Sequence, residues 1–161
     1  MTALVIKAMA LIPEAFLEYG SVLMSRGIAP QRDEFAGHIE NRRDEAKPNL
    51  TFIHALPKPP VVVAMERHPY SSQTFVPMNG ARSLIAVCPS DTGDEPDLSR
   101  LQVFVADGGQ SVHYNAGTWH APLCTLEQPG EYVMLRWDDG GIDDTELRRL
   151  DQPLEIDINI T

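Results

Sequence analysis

From Leu50 onward the chain is cut into apolar segments too short for ordinary helices. They are "LTFIHAL", "VVVAMER", "QTFVPM", "SLIAVCP", "LQVFVA", "SVHY", "APLCTL" and "YVMLRW". Turn residues separate them, at Lys58-Pro59-Pro60, Asn79-Gly80, Ser90 to Pro96, Gly108-Gly109, Asn115 to Gly117 and Pro129-Gly130. Short runs at intervals of roughly 8 to 12 residues, bounded by Pro and Gly, read as strands of a β-sandwich or barrel. The end, "LEIDINI", alternates apolar and polar and reads as one more strand, with an edge open to another chain.

Helical signals are few. Residues 3 to 11, "ALVIKAMAL", read as a first strand. "PEAFLEYGSVLM", 13 to 24, has Pro13 at a first-turn position and Phe16, Leu17, Val22 and Leu23 on one face, which predicts a helix. Residues 29 to 49 are polar and aperiodic, a loop or weak strand pair, and Asp143 to Arg149 form a short acidic-basic helical segment. Residues 1–161 therefore predict one mostly β domain with a short N-terminal helix.

A net charge of −10 argues against a nucleic-acid partner, whose binding depends on phosphate neutralisation. It leaves room for an anionic small molecule in a locally basic site. No apolar run approaches the ~18 residues that span a bilayer, and Met1 to Leu11 lacks the pattern of a secretory signal. The two cysteines, Cys88 and Cys124, lie in apolar segments and make no disulfide framework. A cytoplasmic protein that takes a small-molecule substrate is the simplest expectation.

Chemistry concentrates in two stretches. In "MERHPYSSQTFVPMNG", Glu66 and His68 are two apart and share a strand face, with Arg67 opposite. In "GGQSVHYNAGTWHAPLCT", a strand holding His113 and Tyr114 meets a tight Asn115-Ala116-Gly117 turn before Trp119-His120. Two imidazoles, a carboxylate and an amide can hold a divalent ion and leave positions open for substrate. Imidazoles alone fit nickel, iron, zinc or copper. Gly80, Gly109 and Gly117 read as turn positions that need positive φ, and His38 and His54 as hydrogen-bonded structural residues.

The spacing Glu66-x-His68-x4-Gln73-x6-Gly80 resembles the first motif of the cupins, with Glu66 for its first His and Gln73 for its Glu. Gly109-x5-Asn115-x-Gly117-x2-His120-x3-Cys124 resembles the second, with Asn115 for Pro and Cys124 for Asn. The resemblance implies a double-stranded β-helix, or jelly-roll barrel, with Glu66, His68, Gln73 and His120 converging at its mouth. "ERHPYSSQTFVP" and "VFVADGGQSVHYNAGTWHAPL" are similar, more narrowly, to stretches of the ureidoglycolate lyase family. Departures from that family's pattern are Ser111, the order His113-Tyr114-Asn115, and "LRWDDGG" at 135 to 141.

The family's reaction splits (S)-ureidoglycolate into glyoxylate and urea in allantoin breakdown. The resemblance implies a ligand set of Glu66, His68, Gln73 and His120 for a divalent metal, nickel by family likeness; chemistry without a metal stays open, with a His or Glu66 taking the hydroxyl proton. His113 is the candidate for protonating urea. Arg82 or Arg67 is the candidate carboxylate clamp, and Gln73, Tyr114, Trp119 and Phe75 line the pocket. Cupins commonly pair, so a homodimer is expected. The competing expectations are a metal-dependent dioxygenase and a non-catalytic metabolite-binding barrel.

Overall fold

The computed structural model describes residues 5–160. Thirteen strands are arranged in two sheets. In chain order they are β1 (Val5–Lys7), β2 (Met9–Ala10), β3 (Gly20–Leu23), β4 (Lys47–Ala55), β5 (Val61–Arg67), β6 (Gln73–Pro77), β7 (Ser83–Cys88), β8 (Gln102–Ala106), β9 (Ser111–Tyr114), β10 (Trp119–His120), β11 (Cys124–Thr125), β12 (Gly130–Asp138) and β13 (Glu146–Asp157). One α-helix, α1 (Pro13–Phe16), and three short 3-10 turns complete the described residues. The all-β, barrel-forming expectation holds.

The first sheet runs β1-β13-β5-β10-β7-β8-β2, with β11 beside β7. Its two ends, β1 and β2, are separated in the chain by Ala8 alone, so the sheet curls until its ends meet. Parallel pairing of β1 with β13 and of β2 with β8 completes the closure. Alternate side chains then point into the curl: Leu84, Ala86 and Cys88 from β7, Val103 and Val105 from β8, with Trp119, Met65, Ile156 and Ala8, pack as one core. The opposite parity, Ile85 and Val87 from β7 and Phe104 from β8, faces out of the curl and packs on Val112 and Tyr114 of the second sheet and on Phe16 and Tyr19. The second sheet runs β3-β9-β6-β12-β4. Glu66 and His120 of the first sheet face Tyr114 and Gln73 of the second across the space between them.

Several local expectations give way to pairing between distant segments. The helix expected over 13 to 24 stops at Phe16, because Gly20–Leu23 pairs with β9 at four positions. A Cβ at Gly20 would lie 1.8 Å from the His113 carbonyl oxygen, so only glycine permits that approach. The helical segment expected at Asp143 to Arg149 is a single 3-10 turn, Ile142–Asp144, followed by β13, whose Leu147 stands opposite Glu66. The expected first strand over 3 to 11 is β1 and β2, its first two residues lying outside the described part. "LEIDINI" is not an open edge: Glu155 pairs with Val61 on one side and Val5 on the other. Positive φ occurs at Gly80 and Gly117 as expected, but in the third turn it falls on Gly108 and not Gly109. Cys88 and Cys124 are buried free thiols. Among the described residues no helix is long and apolar enough to cross a membrane.

Candidate active site

β10 is only two residues long, but its register fixes the chemistry. His120 stands opposite Glu66 of β5 on one side and Val87 of β7 on the other. Residues directly opposite in antiparallel strands point to one face, so His120 and Glu66 share the face turned toward the second sheet. His68 follows β5 by one residue, and its carbonyl accepts the Gly117 N–H at 2.9 Å. That bond ties the turn preceding His120 to the end of β5. Gly117 makes this turn at φ +82°, a conformation glycine adopts at no steric cost.

The second sheet supplies a matching row. Tyr114, Gln73 and Arg136 stand opposite one another across β9, β6 and β12. Tyr114 stacks on the His120 ring at 4.1 Å with 13° between planes, which joins the two rows. Phe75, two residues from Gln73, meets Tyr114 edge-on at 6.4 Å and forms the apolar wall.

Within the cleft, Glu66, His68 and His120 each offer a ligand atom, and these atoms lie within 4.8 Å of one another. The two imidazoles are 5.5 Å apart, and His120 Nε2 is 3.6 Å from Glu66 Oε1, too long for a hydrogen bond. Each imidazole is oriented from behind. The Thr118 carbonyl accepts from His120 Nδ1 at 2.8 Å, and the Asp144 carbonyl accepts from His68 Nδ1 at 3.0 Å. A carbonyl only accepts, so both protons sit on Nδ1 and both Nε2 atoms present lone pairs. Those two Nε2 atoms and Gln73 Oε1 are buried without a protein partner. Orphaned acceptors around one carboxylate fit a divalent cation, with backbone carbonyls as the outer shell that sets ligand orientation.

Electrostatics agree with this arrangement. Burial pushes the His68 imidazole down to about 4, and the charges of His120 and Arg136 add to it, so His68 is neutral near pH 7. Burial works to raise the Glu66 carboxyl, but His120, His68 and Arg136 outweigh it and hold the group below the usual range. Burial raises the Tyr114 phenol, which stays protonated.

The structure gathers Glu66, His68, Gln73, His120, Tyr114 and Phe75, and leaves four other candidates elsewhere. His113 points to the far side of β9: its Nδ1 meets Thr74 Oγ1 at 2.8 Å and its Nε2 donates to the His38 carbonyl at 2.8 Å. Strand alternation separates it from Tyr114, its neighbour. Trp119, adjacent to His120, is likewise turned into the first core, under the Arg67 guanidinium at 4.6 Å. Arg67 faces away from Glu66, as parity requires, and is held by Asp94 and Glu146. Arg82 pairs with Glu127 at 2.8 Å. It precedes Val87, the neighbour of His120, by five residues, which is roughly 17 Å along a strand.

The cation beside the site is Arg136, which sequence reasoning missed. Its Nη1 lies 3.4 Å from His68 Nδ1, and its Nε lies 2.8 Å from Asp138 Oδ1. The signal was present in "YVMLRWD": Tyr132, Met134 and Arg136 alternate onto one face of β12, two buried apolar residues followed by a cation.

Two imidazoles and a carboxylate gathered between the sheets of an all-β barrel form a set that could hold a divalent ion. The family model described as ureidoglycolate lyase matches residues 3–157. The chain is 34% identical over 135 residues to a ureidoglycolate lyase of Brucella anthropi, covering 78% of each chain. It is 30% identical to the ureidoglycolate lyase of Schizosaccharomyces pombe over 100% of both, and 30% identical to that of Escherichia coli over 90% of this chain and 94% of the relative. Among solved structures, RmlC from Streptococcus suis in complex with dTDP-D-xylose aligns with TM-score 0.46 and 14% identity, over 60% of this chain and 47% of that one. The chain belongs to the ureidoglycolate lyase family.

Proposed function

We propose that this chain is a ureidoglycolate lyase that releases glyoxylate and urea from (S)-ureidoglycolate. The observation that carries the reading is the convergence of Glu66, His68 and His120 between the sheets, with Arg136 beside them, in a chain of this family.

The reaction moves one proton and one electron pair, and no water is consumed. The hydroxyl on the central carbon loses its proton as the C=O forms; the C–N bond breaks, its electrons go to nitrogen, and nitrogen takes a proton to leave as urea. Glu66, ionised near neutral pH, has a free carboxylate oxygen to accept the hydroxyl proton and return it to the departing nitrogen. A carboxylate on the substrate is matched by the Arg136 guanidinium, which Asp138 orients. Tyr114 and Phe75 supply the apolar wall that limits water. Nε2 of His68, Nε2 of His120, a Glu66 oxygen and Gln73 Oε1 would hold a divalent ion, nickel on family likeness; bound, the ion supplies Lewis acidity that lowers the pKa of a coordinated hydroxyl. Arg136 replaces Arg82 and Arg67 as the clamp, and His113 has no part.

The protein further acts as a homodimer in the cytoplasm. The apolar outer face of the second sheet supports the first reading, and two buried free thiols are compatible with the second.

The test is product release. Purified protein given (S)-ureidoglycolate should form glyoxylate and urea in equal amounts, and His120→Ala should lower kcat/KM by roughly 100-fold or more. Oxygen uptake in place of urea release would favour the dioxygenase reading. Full activity in His120→Ala would move the site elsewhere.

A further inference from the structure

The acidic loop that follows β12 contributes the backbone carbonyl that orients His68. We infer that Arg43 is a positioning residue, holding this loop so that the Asp144 carbonyl keeps His68 in the Nδ1–H form with its Nε2 lone pair turned into the site. The inference rests on the reading of Glu66, His68 and His120 as the active site.

The geometry runs from Arg43 inward. Its guanidinium binds the Asp144 carboxylate through Nη2 and Asp139 through Nη1 at 2.8 Å, with Asp143 at 3.6 Å, and it lies 4.8 Å from the Tyr70 ring centroid. Asp144 accepts in turn from the Gly140 N–H at 2.8 Å and the Asp139 N–H at 3.2 Å. A Cβ at Gly141 would sit 2.8 Å from the Oδ1 atoms of both Asp139 and Asp143, so both carboxylates turn in over this glycine. Three carboxylates wrapped on one turn repel one another, and the guanidinium among them offsets that repulsion. Arg43 is itself anchored next to the site. The Arg42 N–H donates to the Tyr70 carbonyl at 2.8 Å, and Asn41 bridges Ser71, in the loop that joins His68 to Gln73. One guanidinium therefore braces the two loops on either side of His68.

Removing Arg43 leaves the carboxylates unbalanced and the turn free to open. His68 Nδ1 then loses its fixed acceptor. Thr145 Oγ1 at 3.1 Å and Arg136 Nη1 at 3.4 Å remain, and both can donate to Nδ1. Donation to Nδ1 puts the imidazole proton on Nε2, where it occupies the position a ligand lone pair must have.

The experiment reads the tautomer directly. Imidazole nitrogen resonances of full-length protein stripped with chelator, assigned by comparison with His68→Gln, should show His68 protonated on Nδ1. Arg43→Ala should move population to the Nε2–H form and weaken binding of Ni2+ ion, followed by calorimetry, by roughly tenfold. Arg43→Lys, which keeps one charge without the fork, should recover part of both. If Arg43→Ala does not fold, Asp144→Asn removes the anion Arg43 grips and keeps the backbone carbonyl, and the same two readouts apply. Wild-type His68 protonated on Nε2, or a folded variant with unchanged tautomer and ion affinity, overturns the inference. Absence of lyase turnover in the wild type would overturn the functional reading and leave the tautomer result standing.

Discussion

Arg136 and Arg82 show how much a single side chain's placement decides. Both are cations near strand ends, and composition cannot separate them. Arg136 lies on the face of β12 that carries Tyr132 and Met134 inward and stands opposite Gln73, whereas Arg82 ends in an exposed pair with Glu127. A guanidinium meets a carboxylate with two parallel N–H donors, a geometry an ammonium cannot copy. Arg136→Ala should raise KM for (S)-ureidoglycolate at least tenfold with a smaller change in kcat, and Arg136→Lys should recover little of it. Steady-state kinetics on the two variants checks this, and a KM unchanged in both would remove Arg136 from the substrate. The convergence of Glu66, His68, Gln73 and His120 was legible because each motif keeps its polar residues within a few positions and parity orients them. Arg136 was not, because its place depends on β12 lying beside β6, a pairing between segments about sixty residues apart that no local pattern encodes.

The same alternation acts at the level of the element. β9 delivers Tyr114 to the site and His113 to the opposite side, where the loop around Phe35 and His38 covers it. Sequence reasoning placed both residues on one strand and could not say which face was which. In the fold His113 is fully buried and satisfied at both nitrogens, which makes it a rivet between β9, β6 and that loop. Burial, with the nearby charge of His38, lowers its pKa and keeps it neutral. The folded pKa is therefore below the unfolded value of ~6.5, and the unfolded chain binds more protons as pH falls. The stability it contributes is complete above about pH 6.5 and is lost as pH drops through the folded value. His113→Ala should cost about 2–4 kcal/mol near neutral pH, keep kcat/KM within roughly twofold, and lose less stability than the wild type between pH 7 and pH 5. Denaturant melts at the two pH values with a parallel activity assay decide it; a large loss of kcat in folded protein would return His113 to the chemistry. The N-terminal helix forms but ends early, at Phe16. Residues 13 to 24 have helical spacing, but propensity over one or two turns is weak beside a strand pairing that packs the half-buried Val22 against the second core.

Taken whole, the molecule spends its apolar side chains in two cores, one inside the curled first sheet and one between the sheets, and a third apolar face is left uncovered. The barrel class was legible from turn spacing, but the closure was not, since it depends on β1 and β2 running parallel to strands over ninety residues away. That closure also covers the terminal strand expected to be an edge and leaves β4 as the outer strand of the second sheet. Along β4, Leu50 is 72% exposed and Phe52 61%, on the outward face that continues through Val133 and Leu135 to Val76. A nine-residue open edge beside an apolar stripe is a surface that soluble proteins normally cover or charge. A second copy apposed across this face would cover both stripes with one symmetric contact. Light scattering should give twice the chain mass for the wild type at micromolar concentration. Phe52→Glu, which places a carboxylate in the centre of the stripe, should give the single-chain mass, with a thermal midpoint that no longer rises with protein concentration as mass action requires of a dimer. A wild type that is monomeric, or a Phe52→Glu protein that keeps the double mass, would show that this face is not where two copies meet.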